Sequence, residues 1–317
     1  MRASIPGNIL LFGEYAVLEE GGLGIALAVD RRVLIAASPS VDLRVEGLWI
    51  GGSMRWTPED PSASPYVSAA VRELENWLTP GRDEPSRLTG RIVIDSSELS
   101  QPEGRKSGFG SSAAVVLGTL CALLVSMDRA EGVTDGTLLR LALAAHRQAQ
   151  GGSGSGYDVY CSFHGGLGLF RGGPEPSWQP CALPWVPDVR LFTGPAPVST
   201  PDAIGKYRQW KERDPAAAQS LLEESNRAIL SLLHASSARE AGSEIRACRD
   251  VGVAIGDAIG VEARIPAPHS VDPDSCKSLG AGNELGAFFL LPGIPNPPHD
   301  PGLRRVSAST RGIEWTR

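Results

Sequence analysis

The glycine-rich segment Gly104 to Gly110 runs straight into the apolar stretch Ala113 to Val125, with Ser111 and Ser112 at the junction. Unbroken apolarity over that length predicts a buried helix, and the serines mark its N-terminus. A helix N-terminus carries unsatisfied N–H groups and the positive end of the helix dipole, so it is a place for an anion. Glycines ahead of it permit the φ values at which several N–H groups converge on one ligand. Lys106 adds a point charge, and a serine hydroxyl can bind Mg2+. The lysine precedes the glycines, so this is not a Walker loop. Taken alone, the segment also reads as an ordinary glycine-rich loop with a serine cap.

The chain has 317 residues, enough for two lobes or one large α/β domain. Its net charge is -6 and it holds no basic block, which argues against a nucleic-acid partner. Five scattered cysteines without a CxxC pair argue against a disulfide framework or a zinc site. The longest apolar stretch falls short of the roughly 20 residues that span a bilayer. The opening residues lack the apolar core of a signal peptide. These features predict a cytoplasmic protein with no membrane partner.

Short strands are expected within 8–19 and 25–37, over Leu43–Trp49, Leu88–Ile94, Leu167–Phe170 and Val189–Thr193. Helical spacing marks Tyr66–Leu78 and Thr134–Gln150, the second capped by Thr134 or Asp135. Gly151 to Gly156 ends that helix. A Pro-, Gly- and Trp-rich stretch, 172–187, is the natural boundary, giving an N-terminal lobe 1–175 and a C-terminal lobe 176–317. Helices follow over Ala203–Arg213, Pro215–His234 and Ala238–Ile259. Gly280-Ala-Gly-Asn precedes the apolar segment Ala287–Leu291, and a proline-rich tail, 292–302, is expected to wrap the surface.

Three further segments bear chemistry. Asp158 follows Gly151-Gly-Ser-Gly-Ser-Gly-Tyr: a turn former, or a carboxylate on closely approachable backbone that acts as a base or a Mg2+ partner. Ser199 and Thr200, followed by Lys206 and Arg208, suit a phosphate or carboxylate, or form a turn with a solvated helix face. Lys277 to Glu284 by itself is a tight turn before a strand.

In order, Pro6-Gly7…Gly13-Glu14-Tyr15-Ala-Val-Leu, Gly108-Phe-Gly-Ser-Ser-Ala-Ala114 and Gly280-Ala281-Gly282 resemble the three motifs of the GHMP kinases. Within that family the chain is most similar to the phosphomevalonate kinases. Lys106-Ser-Gly-Phe-Gly-Ser-Ser-Ala resembles their Lys-Thr-Gly-Leu-Gly-Ser-Ser-Ala. Ala145-His-Arg-Gln-Ala-Gln-Gly with Gly154-Ser155-Gly-Tyr-Asp-Val resembles their Ala-His-x-x-Ala-Gln-Gly…Gly-Ser-Gly-Phe-Asp-Val. Thr193 to Thr200 is similar to their Thr-Gly-x-x-Ala-Ser-Thr loop. The resemblance covers residues 6–286.

It implies a two-lobed α+β fold: an N-terminal α/β lobe with a left-handed β-α-β unit, against the usual right-handed crossover, and a ferredoxin-like C-terminal lobe. It implies ATP and Mg2+, with Lys106, Gly108, Gly110, Ser111, Ser112 and Ala113 at the triphosphate and Ser112 on the metal. Lys106, Asp158 and Ser112 would be catalytic. Glu14, Tyr15, Ser155, Asp158, Ser199, Thr200, Lys206, Gly280, Ala281 and Gly282 would meet a phosphorylated small-molecule substrate; a homodimer stays open. Three departures stand out. Asn8 replaces the lysine of the usual Pro-Gly-Lys, Asn283-Glu284 replaces further glycine and aspartate, and the carboxylate Mg2+ ligand of mevalonate kinases has no equivalent near Arg147 and Gln148. The alternatives are an alcohol acceptor, as in mevalonate kinase, or a non-catalytic nucleotide- or metabolite-binding homologue.

Overall fold

The computed structural model describes residues 1–79, 88–100, 108–152, 154–186, 188–196, 198–297 and 300–316. Its strands are β1 (Arg2–Phe12), β2 (Leu23–Ser38), β3 (Leu43–Trp49), β4 (Gly52–Trp56), β5 (Gly90–Asp95), β6 (Leu167–Arg171), β7 (Ser177–Pro180), β8 (Asp188–Thr193), β9 (Cys276–Leu279), β10 (Leu285–Leu290), β11 (Arg304–Arg305) and β12 (Glu314–Trp315). Its helices are α1 (Pro65–Leu78), α2 (Ser111–Ser126), α3 (Asp135–Ala149), α4 (Tyr157–His164), α5 (Thr200–Arg213), α6 (Pro215–Leu233) and α7 (Ala238–Ile259). The fold is mixed α+β, as expected. It divides into unit one, Met1–Ile9, Leu27–Gly166 and Ala308–Arg317, and unit two, Leu10–Ala26 and Leu167–Ser307. The chain thus passes between units at 9/10, 26/27, 166/167 and 307/308, where the sequence reading has a single division at 175/176.

In unit one the strands run in the order β12-β1-β2-β5-β3-β4. β3 and β5 pair in parallel, Leu43 opposite Gly90 through Leu48 opposite Asp95. The chain between them contains β4 and α1, because a parallel pair needs a long crossover. α1 is capped by Ser64, whose side chain accepts from the Val67 N–H, with Pro65 at its first position. α2 is apolar on nearly every side, and Ala113 through Leu124 is buried apart from Val115. A helix apolar all round belongs inside a fold. Gly118 makes the fit possible, since a Cβ there would lie 2.5 Å from Ile35. Thr134 is the N-cap of α3, and its hydroxyl accepts from Thr137 N–H at 3.1 Å.

Among the α-helices of the described residues, α4 is the one that sequence pattern misses. Tyr157–His164 is aromatic and β-branched, a weak helix signal behind a glycine run. Gly156 supplies the left-handed start at φ 90, where a Cβ would strike Leu143 at 2.2 Å.

In unit two, β11-β8-β10-β9 form an antiparallel sheet, with Leu285 opposite Thr193 through Leu290 opposite Asp188. α5, α6 and α7 match the expected helices within a few residues. Each has a side-chain N-cap, from Ser199, Asp214 and Ser237, and α7 ends at Gly260 in the left-handed region. Tyr207 and Trp210 of α5 pack with Val251, Ile255 and Ile259 of α7 and with Tyr15. No helix among the described residues is long and apolar enough to cross a membrane.

Candidate active site

In unit one, the junction of the glycine segment with α2 has the geometry of an anion cradle. Gly108 and Gly110 take left-handed φ values of 78 and 58. Gly110 is the N-cap of α2, and having no side chain it supplies no cap to the first-turn N–H groups at Ser111, Ser112 and Ala113. A Cβ on Gly110 would come within 2.4 Å of the Asn8 amide. Lys106 lies outside the described residues.

Asn8 is where the absent motif lysine would stand. It is 1% exposed and acts as a connector. Its Nδ2 reaches Ser162 Oγ (3.0 Å) and the carbonyls of Gly110 and Asp158 (3.3 Å each), while its backbone N–H donates to Phe109 O (3.0 Å). One amide thereby ties β1 to the start of α2 and to α4.

Asp158 sits in the first turn of α4, and its carboxylate is held at both ends. Oδ1 accepts from Val159 N–H at 3.0 Å, and Oδ2 lies 3.2 Å from His146 Nε2. The same nitrogen is 3.1 Å from Ser112 Oγ. His146 is fully buried and stacks on Tyr66, with ring centroids 5.6 Å apart. The preceding loop is fixed by Arg147, whose Nε donates to Gly154 O and Nη2 to Ser155 O, both at 3.1 Å. Ser155 therefore contributes its carbonyl to this clamp, and its hydroxyl accepts from Tyr157 N–H at 3.5 Å. Unit one thus brings together Gly108, Gly110, Ser111, Ser112, Ala113, Ser155 and Asp158 of the sequence-derived residues, and adds His146 and Asn8.

Unit two gathers a second group. Lys277, 1% exposed, donates to Leu11 O (3.0 Å) and Ser278 O (2.7 Å) and forms a tight ion pair with buried Glu14. Burial pushes the Glu14 carboxyl above its usual range, and Lys277 opposes that shift. Tyr15 adopts φ 63, rare for a residue with a side chain. Its hydroxyl donates to Ala281 O at 2.6 Å, its ring stacks on Tyr207, and burial raises its pKa. Gly282 lies against Val198, where a Cβ would be 2.7 Å from its side chain. Val198 N–H donates to Glu284 at 3.3 Å, and Asn283 Nδ2 donates to Arg264 O at 3.2 Å. Gly280 takes φ 76 in open space. Ser199 caps α5, Thr200 is its first residue, and Lys206 Nζ donates to Gly260 O at 3.4 Å.

Mg2+ takes oxygen ligands and is held by one or two carboxylates together with substrate phosphates. Ser112 Oγ and the Asp158 carboxylate, both against one imidazole nitrogen, are a donor set that suits a Mg2+ brought in with a nucleotide. The described residues hold no cluster of three or more His, Cys, Asp or Glu side chains.

His146, Asn8 and Lys277 escape sequence reasoning as site residues. His146 is visible only within Ala145-His-Arg-Gln-Ala-Gln, where nothing in the helical pattern marks it.

Residues 66–166 match the GHMP kinases N terminal domain. The mevalonate kinase of Archaeoglobus fulgidus is 28% identical over 223 residues, covering 70% of this chain and 68% of that protein. The phosphomevalonate kinase of Streptomyces sp. (strain CL190) is 28% identical over 183 residues, covering 51% of this chain and 46% of that protein. Among solved structures, Streptococcus pneumoniae phosphomevalonate kinase in complex with phosphomevalonate and AMPPNP aligns with a TM-score of 0.69 at 18% identity, covering 92% of each chain, which speaks to the fold. The chain shares the fold of that phosphomevalonate kinase, and its residues 66–166 are similar to a GHMP kinase N-terminal domain.

Proposed function

We propose that this chain is an ATP-dependent kinase of the mevalonate route to isoprenoids, acting in the cytoplasm and transferring the γ-phosphoryl group to phosphomevalonate. The observation that carries the reading is the convergence of Ser112, in the first turn of the glycine-capped helix α2, and Asp158 on one buried nitrogen. Phosphoryl transfer requires in-line positioning and neutralisation of charge on the transferred group, with little other chemistry from the protein. Gly108, Gly110, Ser111, Ser112 and Ala113 would receive the triphosphate, and Lys106 would bridge donor and acceptor phosphates. Mg2+, held by Ser112 and Asp158, would supply charge neutralisation. In unit two, Glu14, Tyr15, Ser199, Thr200, Lys206 and Gly280 to Gly282 would serve the acceptor.

The state of Asp158 favours a phosphate acceptor. Both its oxygens are engaged by donors, which suits an orienting carboxylate rather than a free base. A phosphomonoester with a second pKa of about 6 is already mostly ionised at pH 7 and hardly needs a base. Mevalonate, an alcohol, is the second reading, because mevalonate kinases are the more frequent among the curated relatives. Asp158→Asn separates the two in a steady-state assay. General-base catalysis is worth about 10²–10⁴-fold. With a phosphate acceptor the loss in kcat stays below about 100-fold, and a larger loss points to the alcohol.

A further inference from the structure

Asp158 and Ser112 stand on different helices, α4 and α2, and a residue from a third element joins them. His146, in the last turn of α3, is that residue: its Nε2 is 3.2 Å from Asp158 Oδ2 and 3.1 Å from Ser112 Oγ. Its other nitrogen, Nδ1, is buried and meets no hydrogen-bond partner among the described residues. A ring so placed is best satisfied with a proton on Nε2, donating towards the carboxylate, since no described acceptor faces Nδ1. The opposite tautomer would turn a lone pair towards a carboxylate and bury an N–H with no acceptor. Tyr66 packs against the ring face with planes inclined by 23°, which fixes the ring orientation. With Val159 N–H on Oδ1 and His146 on Oδ2, the Asp158 carboxylate has no free rotation about its Cβ–Cγ bond. Neither Arg147 nor Gln148 offers a second carboxylate here, and Arg147 is spent on the carbonyls of Gly154 and Ser155.

We propose that His146 is the positioning residue of the phosphoryl-transfer site, an imidazole whose Nε2 sets the spacing and orientation of the Ser112 hydroxyl and the Asp158 carboxylate. It acts through those two groups rather than on the substrate, and the inference rests on the kinase reading given above.

The test compares wild type with His146→Leu and His146→Gln. Leucine fills the buried space and removes the donor; glutamine returns an N–H donor near the place of Nε2. Partners that orient ligating groups are typically worth about 10–100-fold in activity. His146→Leu is expected to lower kcat by about that factor while the KM values for ATP and acceptor hold, and His146→Gln to recover most of the loss. Equal kcat in the two variants would make His146 a packing residue and end the proposal. A second readout needs no turnover: the ring 15N signals of His146 should report the Nε2–H tautomer and should move in Asp158→Asn. A ring indifferent to Asp158→Asn, or found as the Nδ1–H tautomer, also ends it. Should wild type turn over neither acceptor, the kinase reading falls, while the ring signals still decide whether His146 holds Asp158.

Discussion

Lys277→Met is expected to destabilise the protein by about 3–5 kcal/mol at pH 7, the usual cost of breaking a buried ion pair by removing one partner. Lys277 is the buried cation beneath the third motif, and it satisfies Glu14, Leu11 O and Ser278 O at once. Without it Glu14 remains, 9% exposed, with no cation to offset its burial. The carboxyl is already held above its ordinary value of 4.5 by desolvation, and loss of Lys277 moves it further up. The sign of the pH dependence follows. Between the unfolded value and the raised folded value the native state binds more protons than the unfolded chain, so stability falls as pH rises through that window. The deficit of Lys277→Met is therefore largest above the folded pKa and shrinks as pH falls towards 4.5. Urea unfolding midpoints across that range measure it. Glu14→Gln combined with Lys277→Met should recover much of the loss, because no buried charge is then left unpaired. A single variant as stable as wild type at pH 7 would mean that the pair does not hold the first and third motif segments of unit two together.

Gly110→Val should remove ATP binding by a separate route. At φ 58 a β-branched residue is strained by about 1–2 kcal/mol. The larger effect is steric: a Cβ there would sit 2.4 Å from the Asn8 amide. Asn8 would have to move and give up its bonds to Asp158 O and Ser162 Oγ, disturbing α4 along with the start of α2. Loss of even about 1.4 kcal/mol of phosphate binding is tenfold in affinity. Calorimetric titration with ATP should show a weakening of at least about that size. Gly132→Ala is the control within the same unit, since a Cβ there meets nothing within 4 Å. Wild-type affinity in Gly110→Val would remove the triphosphate from the α2 N-terminus.

What could be read without coordinates was whatever is local. The apolar run after two serines specifies α2, and α5 to α7 fall within a few residues of the stretches that read as helical. Residues whose roles depend on distant partners were not legible. Asn8 reads as a missing cation, but its amide bonds to groups 102, 150 and 154 positions away make it a connector. Lys277 reads as part of a tight turn; lysine is seldom fully buried, and its counter-ion is 263 positions distant. His146 lies 34 positions from Ser112, and only the packing of three helices reveals the meeting. α4 stayed hidden because its start depends on one left-handed glycine rather than on periodicity.

ADP release followed with phosphomevalonate and mevalonate, offered side by side at equal concentration in the presence of Mg2+, distinguishes the acceptors. ATP-dependent turnover is expected with phosphomevalonate and little with mevalonate. Turnover with mevalonate alone would contradict the acceptor, and ATP binding without ADP release on either would contradict the kinase reading itself.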